Sequence, residues 1–270
     1  MAKQLLGELE LNRIYQRDCI EGMRMIPDKS IDMILCDLPY GTTSAKWDSV
    51  IPFEPLWAEY QRIIKDNGAI VLTAAQPFTS ALIMSNTKQF RYQWYWNKNK
   101  VTGFANAKKQ PLRNVEDVVV FYKKLPTYNP QGIIRVNKIK RNGVSVGGET
   151  LRSDIEASAG KGSLRTAGAE YTQEFTNYPR QTLYVKCESK TVHPTQKPSE
   201  LFEYLIRTYT NEGEIVLDNC MGSGTTAVAA TQLNRNFIGF ETEPQYVEIA
   251  NQRLESVVRG SSLTETEDTE

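Results

Sequence analysis

Four consecutive residues, Asp37-Leu38-Pro39-Tyr40, carry the most chemistry in the chain. They follow the apolar run Ser30 to Cys36, so Asp37 stands at the carboxyl end of an expected buried strand, on the edge where parallel sheets take up ligands. Pro39 lacks an N–H and cannot extend a ladder, so it fixes the backbone and lets a neighbouring carbonyl be aimed rigidly. Tyr40 offers a flat ring suited to stacking on a planar base. A carboxylate, a fixed carbonyl and a stacking ring together suit an exocyclic amine on a heterocycle. Both N–H bonds are accepted, and the nitrogen lone pair is left directed at an electrophile. The same four residues also read as a strand-ending Asp in a turn with a buried Tyr.

The second stretch is Ile215 to Ala227, a short apolar strand, a glycine turn and the start of a helix. Such a turn brings backbone N–H groups to a ligand at a helix N-terminus. Gly222, Gly224 and Ala227 fit the dinucleotide spacing, and Glu241, ending the next expected strand, is placed to hold ribose hydroxyls. No Lys follows Gly224, which excludes a P-loop. By itself the turn fits an NAD-dependent oxidoreductase or a purely structural turn as well as any other nucleotide enzyme.

Alternating strands and helices must position both stretches. Strands are expected at Leu9 to Tyr15, Ser30 to Cys36, Ala69 to Ala74, Phe90 to Trp96, Ile215 to Asp218 and Arg235 to Glu241. Helices are expected at 19–26, Pro52 to Lys65, Pro77 to Asn86, Asn114 to Tyr122, Pro198 to Tyr209, the segment after the glycine turn, and Gln245 to Val258. The order implies an α/β fold with a doubly wound, mostly parallel, Rossmann-like sheet. Residues 124–189 lose apolar periodicity and read as a loop-rich insertion between a first half, 1–123, and a last half, 190–258. The final segment, 259–270, ends in four acids within Glu265 to Glu270 and reads as a disordered tail.

The chain has 270 residues, 40% hydrophobic and 24% charged, as an ordinary globular enzyme does. Lys plus Arg equals Asp plus Glu at 32 each, but the distribution is uneven. From Lys88 to Arg141 there are thirteen Lys or Arg against only Glu116 and Asp117. Four scattered cysteines without a CxxC pair, together with the single His193, argue against a metal site and for a reduced, cytoplasmic protein. No signal-like or membrane-spanning apolar run occurs.

In this order the two stretches resemble the DNA amino-methyltransferases of the adenine-N6 and cytosine-N4 family. That family's catalytic motif is usually Asp-Pro-Pro-Tyr, and its cofactor motif resembles Asp218 to Thr225. His193-Pro194-Thr195-Gln196-Lys197-Pro198 is similar to the segment that holds the methionine end of S-adenosylmethionine, and Asp18 to the acid that contacts its adenine. The arrangement is the permuted one, with the catalytic half first, target recognition in the middle and the cofactor half last.

The resemblance implies that Asp37, Leu38, Pro39 and Tyr40 hold the target base. It implies a cofactor pocket formed by Asp18, Asp37, His193, Thr195, Lys197, Asp218, Cys220, Gly222, Ser223, Gly224, Thr225 and Glu241. Leu38 replaces the usual first proline, but the backbone carbonyl that this position supplies is retained. Asp rather than Ser at position 37 is similar to the adenine-N6 branch more than the cytosine-N4 branch. Cytosine-C5 chemistry is disfavoured, since no Pro-Cys dipeptide is present. His193, followed by proline, reads as a loop anchor rather than a proton carrier.

The implied partner is double-stranded DNA. Phosphate contacts are expected from Lys98, Lys100, Lys108, Lys109, Arg113, Lys138, Lys140 and Arg141. Trp94 and Trp96 alternate on an expected strand and read as packing residues. Relatives of this type are often restriction-modification enzymes and dimers, so a homodimer is a further implication.

Overall fold

A computed structural model describes residues 4–43, 45, 48–141, 170–189 and 196–264. It divides into two compact units, 1–129 with 180–270, and 130–179. The first unit is built on an eight-stranded sheet. Its strands are β3 (Arg13–Gln16), β4 (Ile31–Asp37), β5 (Ile64–Ala74), β6 (Phe90–Thr102), β7 (Arg113–Phe121), β10 (Thr182–Tyr184), β11 (Ile215–Asp218) and β12 (Asn236–Glu241). Spatially they run β10-β6-β7-β5-β4-β11-β12-β3. All neighbours are parallel except β7, which is antiparallel to both β5 and β6. The mostly parallel, doubly wound sheet is the one expected. A small antiparallel pair, β1 (Leu5–Leu6) and β2 (Leu9–Glu10), precedes it.

Alternation along the strands divides the core into two layers. Met33 and Leu35 of β4, with Val71 of β5 and Val216 of β11, pack beneath α4 (Ser199–Tyr209), α5 (Thr225–Gln232) and α6 (Pro244–Thr264). Ile34 and Cys36, with Ile70, Leu72 and Leu217, pack against α1 (Cys19–Arg24), α2 (Phe53–Ile63) and α3 (Phe78–Ser85). Because β4 is buried on both faces from Met33 to Cys36, that part of its sequence is a continuous apolar run. Trp94 and Trp96 are buried, with their indole N–H groups donating to Tyr209 Oη and the Val185 carbonyl, each at 2.8 Å.

Several expectations change. Asn114 to Tyr122 forms strand β7 instead of a helix. Its Val118-Val119-Val120-Phe121 run is β-branched and alternates cleanly between layers, Val118 and Val120 to one and Val119 and Phe121 to the other. The single strand expected at Leu9 to Tyr15 is broken into β2 and β3, with Asn12 in the left-handed region at φ 62°. The separate unit is Pro130–Pro179, narrower than 124–189, because each flank is tied to the sheet unit. Asn129 N donates to the Thr208 carbonyl at 2.8 Å, and β10 pairs with β6. Helix α6 continues through Thr264, where a tail from 259 was expected, while 265–270 lie outside the described residues.

The second unit contains the antiparallel pair β8 (Ile134–Arg141) and β9 (Glu170–Thr176). Lys138 and Lys140 are exposed there, while Arg141 pairs with Glu170 at 2.8 Å.

Candidate active site

The parallel strands β4, β5, β11 and β12 end on one edge of the sheet. Because β7 runs the other way, its beginning meets that edge, with Asp117 opposite Ala74 and Val118 opposite Thr73. The edge therefore gathers Asp37, Thr73, Glu116, Asp218 and Glu241 from five strands. A cavity of about 420 Å³ opens there. Asp18, Asp37, Leu38, Pro39, Tyr40, Lys197, Asp218, Cys220, Gly222, Ser223, Thr225 and Glu241 line it together. His193 and Thr195 lie outside the described residues.

Asp37 is held at both oxygens. Tyr40 Oη donates to Oδ1 at 2.7 Å, and the Thr73 hydroxyl makes a short bond to the same atom. Lys197 Nζ donates to Oδ2 at 2.7 Å. Lys197, expected as a cofactor contact, is thus brought onto the Asp37 carboxylate, and its side chain is only 7% exposed. Burial works against its charge, but the carboxylates of Asp37 and Glu116 outweigh burial and hold its pKa above the ordinary value. One face of Tyr40 stacks on Phe78, centroids 5.2 Å apart, and burial followed by the Asp37 charge pushes its phenol well above the usual range. The Leu38 side chain enters the core, so leucine anchors the backbone where a ring would stiffen it.

The loop after Tyr40 is fixed by Asp48, a buried carboxylate that accepts from Gly41 N at 2.8 Å, Thr42 N at 2.9 Å and Thr43 N at 2.6 Å. No motif marked it. Thr73 and Glu116 were also missed, since each reaches the site from a strand that no motif marks, while Gln196 of the His193–Pro198 segment lines the cavity.

The glycine turn is organised from both sides. Asp218 accepts from Cys220 N at 3.0 Å and from the Thr226 hydroxyl. Glu241 accepts from Gly222 N at 2.8 Å through one oxygen, and through the other from Thr242 N at 2.8 Å and Glu243 N at 2.9 Å. Gly222 and Gly224 are both left-handed, at φ 52° and 84°. A Cβ on Gly224 would lie 3.0 Å from the Ala250 backbone, so this glycine packs the turn against α6 instead of lining the cavity. Ser223 and Thr225 receive Arg253 Nη1 at 3.0 and 3.4 Å. Asp18 Oδ1 caps α1, accepting from Ile20 N at 2.9 Å and Glu21 N at 3.1 Å.

Burial pushes the Asp218 carboxyl up to about 7 from its ordinary 3.8. A carboxyl whose folded pKa is raised stabilises the fold while protonated, and that contribution is lost as pH rises through about 7. Asp218→Asn is therefore expected to gain stability relative to wild type, by up to about 4 kcal/mol at the alkaline end. Thermal unfolding of the cofactor-free protein between about pH 5 and pH 8 checks this, and parallel curves for the two proteins would refute it.

Three of the four cysteines, Cys19, Cys36 and Cys220, converge as free thiols close enough to influence one another. Burial pushes Cys36 up to about 12, which leaves it no thiolate for nucleophilic attack. Among the described residues no group of side chains is arranged to hold a metal ion, and no helix is long and apolar enough to cross a membrane.

The expected DNA-facing cations separate in the structure. Lys100, Lys108, Lys109 and Arg113 are exposed near the end of β6, in the segment after it and at the start of β7. Lys98 is not part of that group. It is 10% exposed and pairs with Glu116 at 2.7 Å, because it lies two residues beyond Trp96, the ladder partner of Glu116, and on the same face.

Comparison with known proteins agrees with this geometry. The family model described as DNA methylase, covering the N6 and N4 enzymes, matches residues 31–252. The Type II methyltransferase M1.MboII of Moraxella bovis is 30% identical over 264 residues, spanning 90% of this chain and 96% of that protein. The crystal structure of the M1.HpyAVI–SAM complex superposes with a TM-score of 0.59 at 25% identity, covering 90% of this chain and 99% of that one. The cytosine-N4-specific PvuII DNA methyltransferase shares the fold at 16% identity, with a TM-score of 0.62 over 91% of this chain and 89% of that one. An edge built on Asp37 and a glycine turn, carried by a sheet of this order and matched along most of its length, has one assignment: the chain belongs to the N6/N4 DNA methylase family.

Proposed function

We propose that the protein is a site-specific methyltransferase acting on adenine N6 in double-stranded DNA, with the target base flipped out of the duplex. The methyl donor is S-adenosylmethionine. The observation that carries the proposal is Asp37, a carboxylate fixed at the cavity edge by Tyr40, Thr73 and Lys197.

The cavity fits the donor. Its volume of about 420 Å³ is within the usual range for a cofactor site. A Cβ on Gly222 would meet nothing closer than the Cys220 carbonyl at 4.0 Å, so the turn leaves an open cradle. Asp18 and Glu241 both line the cavity wall, and in this reading Asp18 accepts from the adenine amine and Glu241 from the ribose diol. When bound, the donor supplies an electrophilic sulfonium methyl group.

Asp37 accepts one N–H of the target amine and the Leu38 carbonyl the other, which directs the nitrogen lone pair outward. Tyr40 stacks on the flipped base, its ring backed by Phe78. The amine attacks directly, without a covalent enzyme intermediate. Flipping is required because the amine is otherwise inside the duplex. Lys100, Lys108, Lys109, Arg113, Lys138 and Lys140 supply phosphate contacts, and target readout belongs to the unit at 130–179.

Asp at position 37 favours adenine. Incubation with unmethylated DNA and labelled S-adenosylmethionine, followed by nucleoside analysis, is expected to yield N6-methyladenine. N4-methylcytosine would move the assignment to the other branch, and the absence of any labelled base would overturn the activity itself.

A further inference from the structure

Glu116 takes no part in the reaction described above, yet its surroundings are incomplete. Oε1 accepts from Lys98 Nζ at 2.7 Å. Oε2 is buried without a hydrogen bond, and no other buried side-chain oxygen or nitrogen of the described residues is in that state. Leaving a buried carboxylate oxygen unsatisfied is costly, so a donor is to be expected at some stage of the enzyme's cycle. Lys197 Nζ stands 3.5 Å from that oxygen while bonded to Asp37 Oδ2 at 2.7 Å. A movement of roughly half an ångström would bring it to ordinary bonding length with Glu116.

Asp37, by contrast, is crowded. Oδ1 already accepts two hydroxyls and Oδ2 the ammonium. If Asp37 is to accept a target amine, as in the proposed function on which this inference rests, Lys197 must loosen its hold. We infer that Glu116 is a positioning residue that draws Lys197 away from Asp37 Oδ2 as the target amine enters. Two carboxylates and two ammonium groups, Asp37 and Glu116 with Lys197 and Lys98, are balanced before and after the exchange. No net charge is buried or exposed by it, and a short swing suffices. The groups facing Lys197 are Asp37 from β4, Glu116 from β7 and the Tyr40 ring, 5.4 Å from Nζ, with Lys98 of β6 behind Glu116.

The test is single-turnover methyl transfer to unmethylated bacterial genomic DNA with tritiated S-adenosylmethionine, followed across pH. Glu116→Gln keeps the shape and removes the charge. Its transfer rate is expected to fall about tenfold or more, with cofactor affinity unchanged. The alkaline limb of its rate profile should begin at lower pH than in wild type, since Lys197 then faces one carboxylate in place of two. Lys98→Met removes the positive charge behind Glu116 and is expected to move the same limb upward. A purely structural role would lower stability in both variants and move neither limb. Limbs that stay in place, or move in the same direction, overturn the inference. Asp37→Ala is run alongside as a control. If it is inactive while Glu116→Gln behaves as wild type, this inference alone fails; if it retains wild-type transfer, the proposed role of Asp37 fails and this inference with it.

Discussion

Asp37→Ala is expected to lower methyl transfer by about a thousandfold or more while S-adenosylmethionine binding stays within a few-fold of wild type. The carboxylate is the acceptor that orients the target amine, and it is held by Tyr40, Thr73 and Lys197. Truncation therefore removes the aim of the reaction and leaves the glycine turn intact, because that turn is organised separately by Asp218 and Glu241. Transfer would be followed with labelled cofactor and affinity by equilibrium dialysis. Loss of cofactor binding together with activity would count against an amine-orienting role. Asp37→Asn is the sharper version: it keeps the volume but points an amide N–H at one of the three donors now satisfied by the carboxylate.

Lys197→Met should be the most destabilising single change at the site. The ammonium lies between Asp37 and Glu116, and methionine of similar length leaves two carboxylates facing each other in a largely buried setting. Breaking a buried ion pair at one partner costs about 3–5 kcal/mol, and for a domain of this size that is a fall in Tm of roughly 10 °C. The deficit should shrink as pH falls. Protonating either carboxylate removes the repulsion. Urea unfolding near pH 8 and again near pH 5.5 separates this from simple loss of packing. An equal deficit at both values would show that the charge is not what matters.

Much of the fold was legible because β4, β11 and β12 each carry an unbroken run without polar side chains, Met33 to Cys36, Ile215 to Leu217 and Phe237 to Phe240, followed directly by an acid. A strand of that kind announces both its double burial and its ligand edge. Asp37, Asp218 and Glu241 were found by that rule. Glu116 could not be, because β7 runs antiparallel and brings its first residues, not its last, to the same edge. Its apolar run was also long enough to pass for a buried helix, and only pairing with β5 and β6 decides between the two. Lys98 was misplaced for a related reason: charge density in a segment does not say which lysine stands beside an acid of the neighbouring strand. Thr73 left no trace because its partner Asp37 lies far along the chain, and Asp48 because a loop carboxylate accepting from backbone N–H groups needs no particular residue type at its partners.

At the centre of the sheet β4 pairs with β11, Met33 beside Val216 and Ile34 beside Leu217. A ribosome making this chain releases β4 long before β11 exists, and the outer strand β3 likewise waits for β12. Contacts so distant in sequence form slowly, and until they form an apolar strand edge stays open to proteases and to other nascent chains. Stalled chains that end before Ile215 are expected to be cleaved within residues 31–74, and chains extending past Glu241 to resist. Equal resistance in both would mean that the first half folds unaided. Otherwise Asp37, among the earliest parts of the site to be synthesised, acquires its fixed position only after the cofactor turn has emerged.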